Sequence, residues 1–443
     1  MTTARRSLAR DLLLAVCLFA LGIVVSHFTR TRAFEGRLNS DEPEWIAISI
    51  LHWRQFVLRE PAAGADLDPS NEREASPWKR GVQHTTFGYM NPCLPKLVWG
   101  AAFHAAGYRE ASPLAFQVFH KNDPGAGKAA QDALLPAESL ARAIVVGLAA
   151  LSAVLLFFVA RALCAGPLAW LAGALAFALW FASPLVQNTS GYIRTDFFML
   201  PPCLAALLLA VGCDHAASRG LRAHLVLGLA LGCLCGLALS SKLNGGLLGV
   251  VVAVWLASFR LDRRGERWHG LAACALAGLV ATAIFYALDP RLWGGPIDGL
   301  RDILARWDRL IGYFQDELAP KSGVEVARSL TERLSLFARK TFARDEPIGA
   351  NTHAVLGAAV VSVGFALLVR RALERREARA RTALVFVGVF VAGTALWLPL
   401  DWERFYLTSM PCLVLLEALA IAACVERVAA RSLWFDSQRD AGR

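Results

Sequence analysis

Charged residues are scarce in this chain of 443 residues: they make up 19% of it, whereas hydrophobic residues make up 56%. A soluble domain of this length does not need repeated apolar runs of about twenty residues. These proportions exclude an ordinary soluble enzyme. They predict an all-α polytopic membrane protein.

Sequence signatures of several catalytic classes are also missing. No nucleotide-binding glycine loop, no HExxH pair and no nucleophile elbow occurs. The nine histidines are scattered, which argues against a zinc site. The ten cysteines include no C-x-x-C pair and lie mostly in apolar runs, where they act as small hydrophobes. No A-x-A-like cleavage site follows the first apolar run, so we interpret that run as a retained span.

Long apolar runs predict the membrane spans. A helix rises 1.5 Å per residue, so about twenty apolar residues cross a hydrocarbon core of about 30 Å. The sequence predicts a bundle of ten spans, at roughly residues 11–28, 139–160, 165–183, 195–213, 223–240, 243–259, 268–288, 351–370, 382–399 and 405–425.

Arginine-rich turns predict the side of the membrane on which each span ends. The net charge of +10 is concentrated in short segments between apolar runs, which is typical of cytoplasmic loops rather than of nucleic-acid binding. All these clusters fall on one side only if the apolar segment 93–107 does not cross. We therefore expect both termini in the cytoplasm and residues 93–107 to form an interfacial helix on the outer face.

This topology divides the chain into three parts. Residues 1–288 form an N-terminal transmembrane module, which includes the long external loop 29–137. Residues 289–350 form a second external loop, and residues 351–443 carry the last spans and a cytoplasmic tail.

The second external loop contains a helical pattern. Apolar residues recur at helical spacing from Ile297 to Phe314 with charges opposite them, which predicts an amphipathic helix. That helix either lies in the membrane interface or packs on the outer part of the protein. A weaker second helix is predicted over residues 326–342.

Few charges lie at the outer ends of the spans, yet each outer turn keeps at least one. Charges beside hydrocarbon are costly unless they are paired or functional. Each one alone is typical of an interfacial anchor, but the set favours a site. Its members are Asp41 and Glu42 in the first loop, then Arg194, Asp196, Lys242, Asp289, Arg291, Asp401, Glu403 and Arg404.

These residue types suit a particular chemistry. Arginine and lysine at a headgroup boundary match a phosphate or diphosphate in both geometry and charge. A nearby carboxylate can act as general base toward a hydroxyl or amine. Together they indicate transfer of a group from a phosphorylated lipid to a nucleophile at the outer surface.

The order of these features resembles the GT-C class of integral-membrane glycosyltransferases, and within it the branch of protein O-mannosyltransferases and lipid A aminoarabinose transferases. The likeness is best over residues 38–290. Asp41-Glu42 is similar to the first-loop acidic motif. Asn91-Pro-Cys-Leu-Pro-Lys96-Leu resembles a His-Pro-Pro-Leu-Gly-Lys-Leu stretch of the outer loop. Three residues of that stretch differ here, so the substrate and the acceptor are not carried over.

Later motifs follow in the order of the family. Arg194 and Asp196 resemble an Arg…Asp pair in an outer turn, and Lys242 resembles a lysine that ends the fifth span. Glu403-Arg404-Phe-Tyr-Leu resembles a late Arg-Tyr-Leu-Pro segment.

The resemblance implies an inverting glycosyltransferase of the bacterial inner membrane that takes a sugar from a polyprenyl-phosphate donor at the periplasmic face. Asp41 is expected to be the general base, with Glu42 as the second catalytic candidate in support. No metal or other cofactor is required, although Asp41 and Asp196 could hold a metal, as in the oligosaccharyltransferase branch. The expected substrate contacts are Lys96, Arg194, Asp196, Lys242, Glu403 and Arg404.

Two other classes stay open. A transporter or flippase of a lipid-linked sugar would use the same charges as a pathway, but transporters tend to place ionisable residues near the midplane and to show repeated halves. A non-catalytic assembly protein would bind a partner through its outer loops and would tolerate neutralisation of Asp41, Arg194 and Lys242 together. The expected partners are the lipid donor and membrane lipids, with no nucleic acid; the acceptor stays open.

Overall fold

α-Helices make up nearly all of the chain that the computed structural model describes, namely residues 2–30, 42–60, 92–109, 124–213, 220–260, 267–313, 315–316, 325–343, 352–374, 377–397 and 406–441. The helices are α1 Thr2–Arg30, α2 Glu42–His52, α3 Leu94–Ala105, α4 Pro124–Leu163, α5 Leu168–Ala182, α6 Pro184–Ser190, α7 Asp196–Cys213, α8 Leu221–Ser241, α9 Gly246–Arg260, α10 Arg267–Leu288, α11 Pro296–Tyr313, α12 Leu330–Ala338, α13 Thr352–Leu373, α14 Ala378–Trp397 and α15 Met410–Ala441.

Seven of the described helices are long and apolar enough to cross a membrane: α1, α4, α7, α8, α10, α13 and α14. α5 and α6 together form an eighth candidate that is bent by 60°. The predicted all-helical membrane fold is confirmed, but the count of ten spans is not. α9, for example, has 15 residues and rises only about 23 Å, short of a core of about 30 Å.

The bend between α5 and α6 lies at Ser183-Pro184. Ser183 is extended, with φ −66° and ψ 120°, as favoured for a residue before proline. Its side chain accepts a hydrogen bond from the N–H of Val186 at 3.5 Å. Pro184 occupies the first helical turn, where its missing N–H costs nothing. The apolar run predicted as the span 165–183 therefore continues into a second short helix.

α8 and α10 pack along a seam of small residues. Glycines recur every four residues on α8 and so share one face. A Cβ on Gly228 would lie 2.5 Å from the carbonyl oxygen of Ala273, and a Cβ on Gly232 would lie 2.7 Å from that of Ala277. From the first contact to the second, the residue number rises by four on α8 and by four on α10. The two helices therefore run parallel, and their C-termini lie at the same end of the bundle.

α3 lies at the position predicted for the non-spanning helix. Its 12 residues rise about 18 Å, too little to cross the hydrocarbon core. It packs against α2 at Gly100, where a Cβ would lie 2.5 Å from the carbonyl oxygen of Ser49. Trp99 and Phe103 are fully buried, so protein covers one side of this helix, whereas Val98 is exposed. Its placement on the outer face stays a prediction.

Arginines gather at the other end of the bundle, around the C-terminus of α4. Arg371 donates a hydrogen bond to the carbonyl oxygen of Leu163 at 2.6 Å, and Arg379 donates one to that of Ala162 at 2.8 Å. These bonds satisfy carbonyls at the helix end. Arg161, in the same turn, forms an ion pair with Asp11 of α1 at 2.8 Å. The basic segments at the start of α1, at the end of α4 and between α13 and α14, which are predicted to share one side of the membrane, thus meet at the end of α4.

The segment 289–350, predicted as a second external loop, contains the two predicted helices. α11 coincides with the amphipathic pattern that begins at Ile297. α12 falls within the weaker pattern over residues 326–342 and begins with a capping box between Ser329 and Glu332.

Candidate functional site

Five of the eight predicted site residues belong to the described part of the chain. Asp41, Glu403 and Arg404 lie outside the described residues. The other five are Glu42 at the start of α2, Lys96 in the first turn of α3, Arg194 and Asp196 at the start of α7, and Lys242 after α8.

Glu42 lies in a buried ion pair with Arg142 of α4. The Arg142 Nε and Nη2 atoms donate to the two carboxylate oxygens of Glu42 at 3.1 and 2.6 Å. Arg142 Nη2 also lies 2.5 Å from a carboxylate oxygen of Glu138, one helical turn away. The backbone N–H of Ile193 donates to Glu42 at 2.9 Å. Glu42 therefore ties the start of α2 to α4 and to the turn that precedes α7.

Asp196 and Lys242 form a second buried ion pair. Lys242 has an extended backbone, with φ −160° and ψ 141°, which ends α8. The hydroxyl of the preceding Ser241 donates to the carbonyl oxygen of Phe198 at 3.2 Å. Two residues predicted separately for the site thus meet where α7 begins and α8 ends.

Arg194 lies in the turn between these two ion pairs. Its guanidinium is 5.4 Å from the ring centroid of Tyr192, which is a cation–π contact. The side chain is half-buried. Its Nε atom is buried, so Arg194 is part of the packed turn between the two ion pairs.

Aromatic rings connect α2 and α3 to the ion pairs. The rings of Trp45 in α2 and Trp99 in α3 lie 5.9 Å apart, and Trp99 meets Phe198 edge-to-face at 4.9 Å. Phe198 follows Asp196 by two residues in α7. This packing fixes the height of α3, and with it Lys96, against the end of the bundle.

A further group of buried charges lies where α10 ends. Arg291 donates to both carboxylate oxygens of Asp289, with Nε 2.6 Å from Oδ1. The thiol of Cys93, just before α3, donates to the same carboxylate at 3.7 Å. Lys96 and His52 lie within electrostatic range of Arg291. We call these five residues the basic cluster; all of their side chains are buried.

The pKa values within the basic cluster reflect burial and crowded positive charge. Burial is the main cause that lowers the pKa of Lys96 to about 8; Cys93 and Asp289 oppose the shift, and Arg291 adds to it. Burial also lowers the pKa of His52 well below its usual value, with Lys96 and Arg291 adding to the effect. His52 is therefore neutral at pH 7. An anion bound here would offset the repulsion between the two cations.

The carboxylate pair that could hold a metal, Asp41 and Asp196, is only half within the described residues. Asp41 lies outside them, and Asp196 is paired with Lys242. Across the ranges that the structure describes, no group of three or more His, Cys, Asp and Glu residues is placed to hold a metal ion.

The sequence prediction omits several residues that the structure places in the site. Arg142 and Glu138 lie four residues apart within a membrane span. Opposite charges at that spacing inside an apolar run indicate a buried ion pair, and this pattern is visible in the sequence. Asp289 and Arg291 are among the outer-end charges but not among the predicted substrate contacts. His52 carries no sequence signal, because only the tertiary packing of α2 on α3 brings it to the cluster.

No family model matches the sequence, and no curated protein matches it. Solved structures do. The archaeal oligosaccharyltransferase AglB from Archaeoglobus fulgidus, in complex with an inhibitory peptide and a dolichol-phosphate, matches with a TM-score of 0.54 and 11% identity over 96% of this chain and 52% of that one. ArnT from Cupriavidus metallidurans, bound to undecaprenyl phosphate, matches with a TM-score of 0.50 and 14% identity over 91% of this chain and 59% of that one.

A second structure of the A. fulgidus oligosaccharyltransferase, a complex with zinc and sulfate, has a TM-score of 0.50 and 13% identity over 94% of this chain and 50% of that one. The chain has the GT-C membrane fold that its sequence predicts. It is a multi-pass membrane protein. It spans between 50% and 59% of the length of the structures it matches.

Proposed function

We propose that the protein is a membrane glycosyltransferase that moves a sugar from a polyprenyl-phosphate donor to an acceptor at the external face. The basic cluster carries this proposal, because two buried cations at the end of a span suit the phosphate of a lipid donor. The fold supports the same choice, since the AglB and ArnT structures hold dolichol-phosphate and undecaprenyl phosphate.

Lys96 and Arg291 contact the donor phosphate in this proposal. The phosphodiester of the donor carries one negative charge, and the departing polyprenyl phosphate gains a second. Cations fixed by the protein stabilise that added charge most strongly in the transition state. Arg194 and Arg404 supply further phosphate contacts, and Glu403 contacts the substrate beside Arg404.

Asp41 acts as the general base. It accepts the proton of the acceptor hydroxyl or amine as the acceptor atom attacks the anomeric carbon of the sugar. The bond between the anomeric carbon and the phosphate oxygen breaks, and its electron pair stays with that oxygen. The leaving group is polyprenyl phosphate. Attack from the face opposite the leaving group inverts the anomeric configuration.

Glu42 supports this step as a positioning residue. Its carboxylate is held by Arg142 and by the N–H of Ile193, so the chain immediately after Asp41 is fixed to α4 and to the turn that contains Arg194. Asp196, fixed by Lys242, is then placed to accept a hydrogen bond from a sugar hydroxyl.

The arginine distribution supports the orientation in the membrane that we propose. The C-terminus of α4 and the arginines around it face the cytoplasm of a bacterial inner membrane, and both chain termini lie on that side. The basic cluster, at the opposite end of the bundle, then faces the periplasm.

Binding of undecaprenyl phosphate to the purified full-length protein tests the donor site. We expect the lipid to raise the thermal unfolding temperature, and undecaprenol, which lacks the phosphate, to have little effect. Hydrogen bonds to charged groups contribute about 1.5–3 kcal/mol each. Replacing Lys96→Met or Arg291→Leu should therefore weaken binding roughly 10- to 100-fold.

Arg370→Met is the matched control, because Arg370 is exposed at the other end of the bundle in an ion pair with Glu374. It should bind the lipid as the wild type does. Equal binding of the alcohol and the phosphate, or unchanged binding by the Lys96 and Arg291 variants, would show that the cluster is not a donor site.

A further inference from the structure

α11 carries an apolar face that is open to its surroundings. Ile297, Leu300 and Leu304 are 67%, 43% and 54% exposed. They are spaced three and four residues apart, so their side chains lie on one side of the helix. Large apolar side chains grouped in this way mark a surface that binds something apolar.

The polar side of α11 is electrically balanced. Asp298 and Asp302 are exposed there. Arg301 and Asp308 are also exposed, and they lie at the border with the apolar face. The sequence of α11 contains three aspartates and three arginines, so its formal charge is zero. A strong attraction to an acidic or basic partner is therefore not expected, and burial of the apolar face is left as the driving force.

A third side of α11 fastens the helix to the end of α10. A Cβ on Gly299 would lie 2.5 Å from the carbonyl oxygen of Arg291, so the two backbones are in close contact. Ile303 is buried against Phe285 and Leu292. These contacts hold α11 directly beside the end of a membrane span.

Exposed apolar and aromatic side chains also lie along α10 and just after its end. Leu279, Tyr286 and Trp293 are 69%, 39% and 49% exposed. Trp293 donates its indole N–H to the carbonyl oxygen of Tyr286 at 2.9 Å. Exposed tyrosine and tryptophan beside an apolar helix end mark the boundary between hydrocarbon and headgroups. α11 begins three residues after Trp293, and therefore at that boundary.

We propose that α11 lies in the headgroup region of the outer leaflet, with Ile297, Leu300 and Leu304 inserted among the lipid chains. The occupant of the apolar face is the lipid surface itself, because α11 lies beside the end of a membrane span, at the boundary between hydrocarbon and headgroups. Since α11 rests on the backbone of Arg291, its lipid contact also sets the depth of the Arg291–Asp289 ion pair. This inference stands whether or not the protein transfers a sugar.

Spin labels on the full-length protein in lipid nanodiscs test the proposal. Single cysteines are placed at Leu300 and Leu304 on the apolar side and at Asp298 and Asp302 on the polar side. The background replaces with alanine the cysteines that are exposed or half-buried, namely Cys17, Cys164, Cys213, Cys233, Cys274 and Cys424. Thermal unfolding of each labelled variant shows that it is folded before its spectrum is used.

Labels at positions 300 and 304 should be accessible to oxygen and protected from a water-soluble nickel chelate, and labels at 298 and 302 should show the reverse. Because α11 has no net charge, the pattern should be the same with and without phosphatidylglycerol. Nickel accessibility at 300 and 304 equal to that at 302 would place the face in water. Protection from both reagents would place it against protein. Either result would overturn the proposal.

Discussion

Replacing Arg142 by methionine removes the cation that two buried carboxylates share. The side chains of Arg142, Glu42 and Glu138 are 8%, 1% and 5% exposed. Methionine fills most of the space of the arginine stem but carries no charge. Removing one partner from a buried charge pair costs about 3–5 kcal/mol, because the remaining charge stays desolvated. We expect Arg142→Met to lower the free energy of unfolding by about that amount.

Equilibrium unfolding in mixed micelles, followed by circular dichroism, measures this loss. Arg370→Met is the control, because it breaks an ion pair whose side chains are 55% and 66% exposed. Such exposed pairs contribute only about 0.2–1 kcal/mol. A difference of several kcal/mol between the two variants is therefore expected.

A compensated variant separates stability from function. Adding Glu42→Gln and Glu138→Gln to Arg142→Met removes the buried charges and should restore most of the lost stability. Transfer activity should stay low, because an amide at position 42 no longer anchors the chain beside Asp41 as the carboxylate does. If Arg142→Met is no less stable than Arg370→Met, the assignment of a buried charge network is refuted.

Two further predictions concern the helix seam and the basic cluster. Gly232→Val should cost about 1–3 kcal/mol of unfolding free energy, because the new side chain meets the backbone of α10. The control Gly278→Val should cost little, because the space around Gly278 is open. Equal losses of stability in the two variants would contradict the close packing of α8 on α10. Affinity for undecaprenyl phosphate should fall as the pH rises through about 8, where Lys96 loses its proton, whereas Lys96→Arg, charged throughout, should bind independently of pH. Parallel pH profiles would exclude Lys96 as the titrating group.

Local patterns were enough to predict much of the fold. Apolar runs located the long helices, and the requirement that basic clusters share one side identified α3 as non-spanning. Helical spacing predicted α11 before its surroundings were known. These predictions succeed because each depends on the length, the hydrophobic period or the charge of a single segment. The ten-span count was not confirmed, because α9 is too short and α15 is not among the candidate spans of the described residues.

The site was only partly predictable for a physical reason. Asp196 and Lys242 are 46 residues apart in the chain yet form one buried ion pair, so the sequence could select each of them but not their pairing. Glu42 and Arg142 are 100 residues apart. The basic cluster likewise depends on the packing of α3 against the end of α10. Burial and partners of charged residues are tertiary properties, and periodicity within a helix does not encode them.

The envelope of a strain that lacks this gene provides the most direct test of the central claim. Mass spectrometry of its lipids and glycans should show one acceptor without its sugar and an accumulation of the matching polyprenyl-phosphate sugar. Wild-type protein should restore the sugar, whereas Asp41→Asn, produced at equal level in the membrane, should not. An envelope that loses no sugar, or full restoration by Asp41→Asn, would contradict the account.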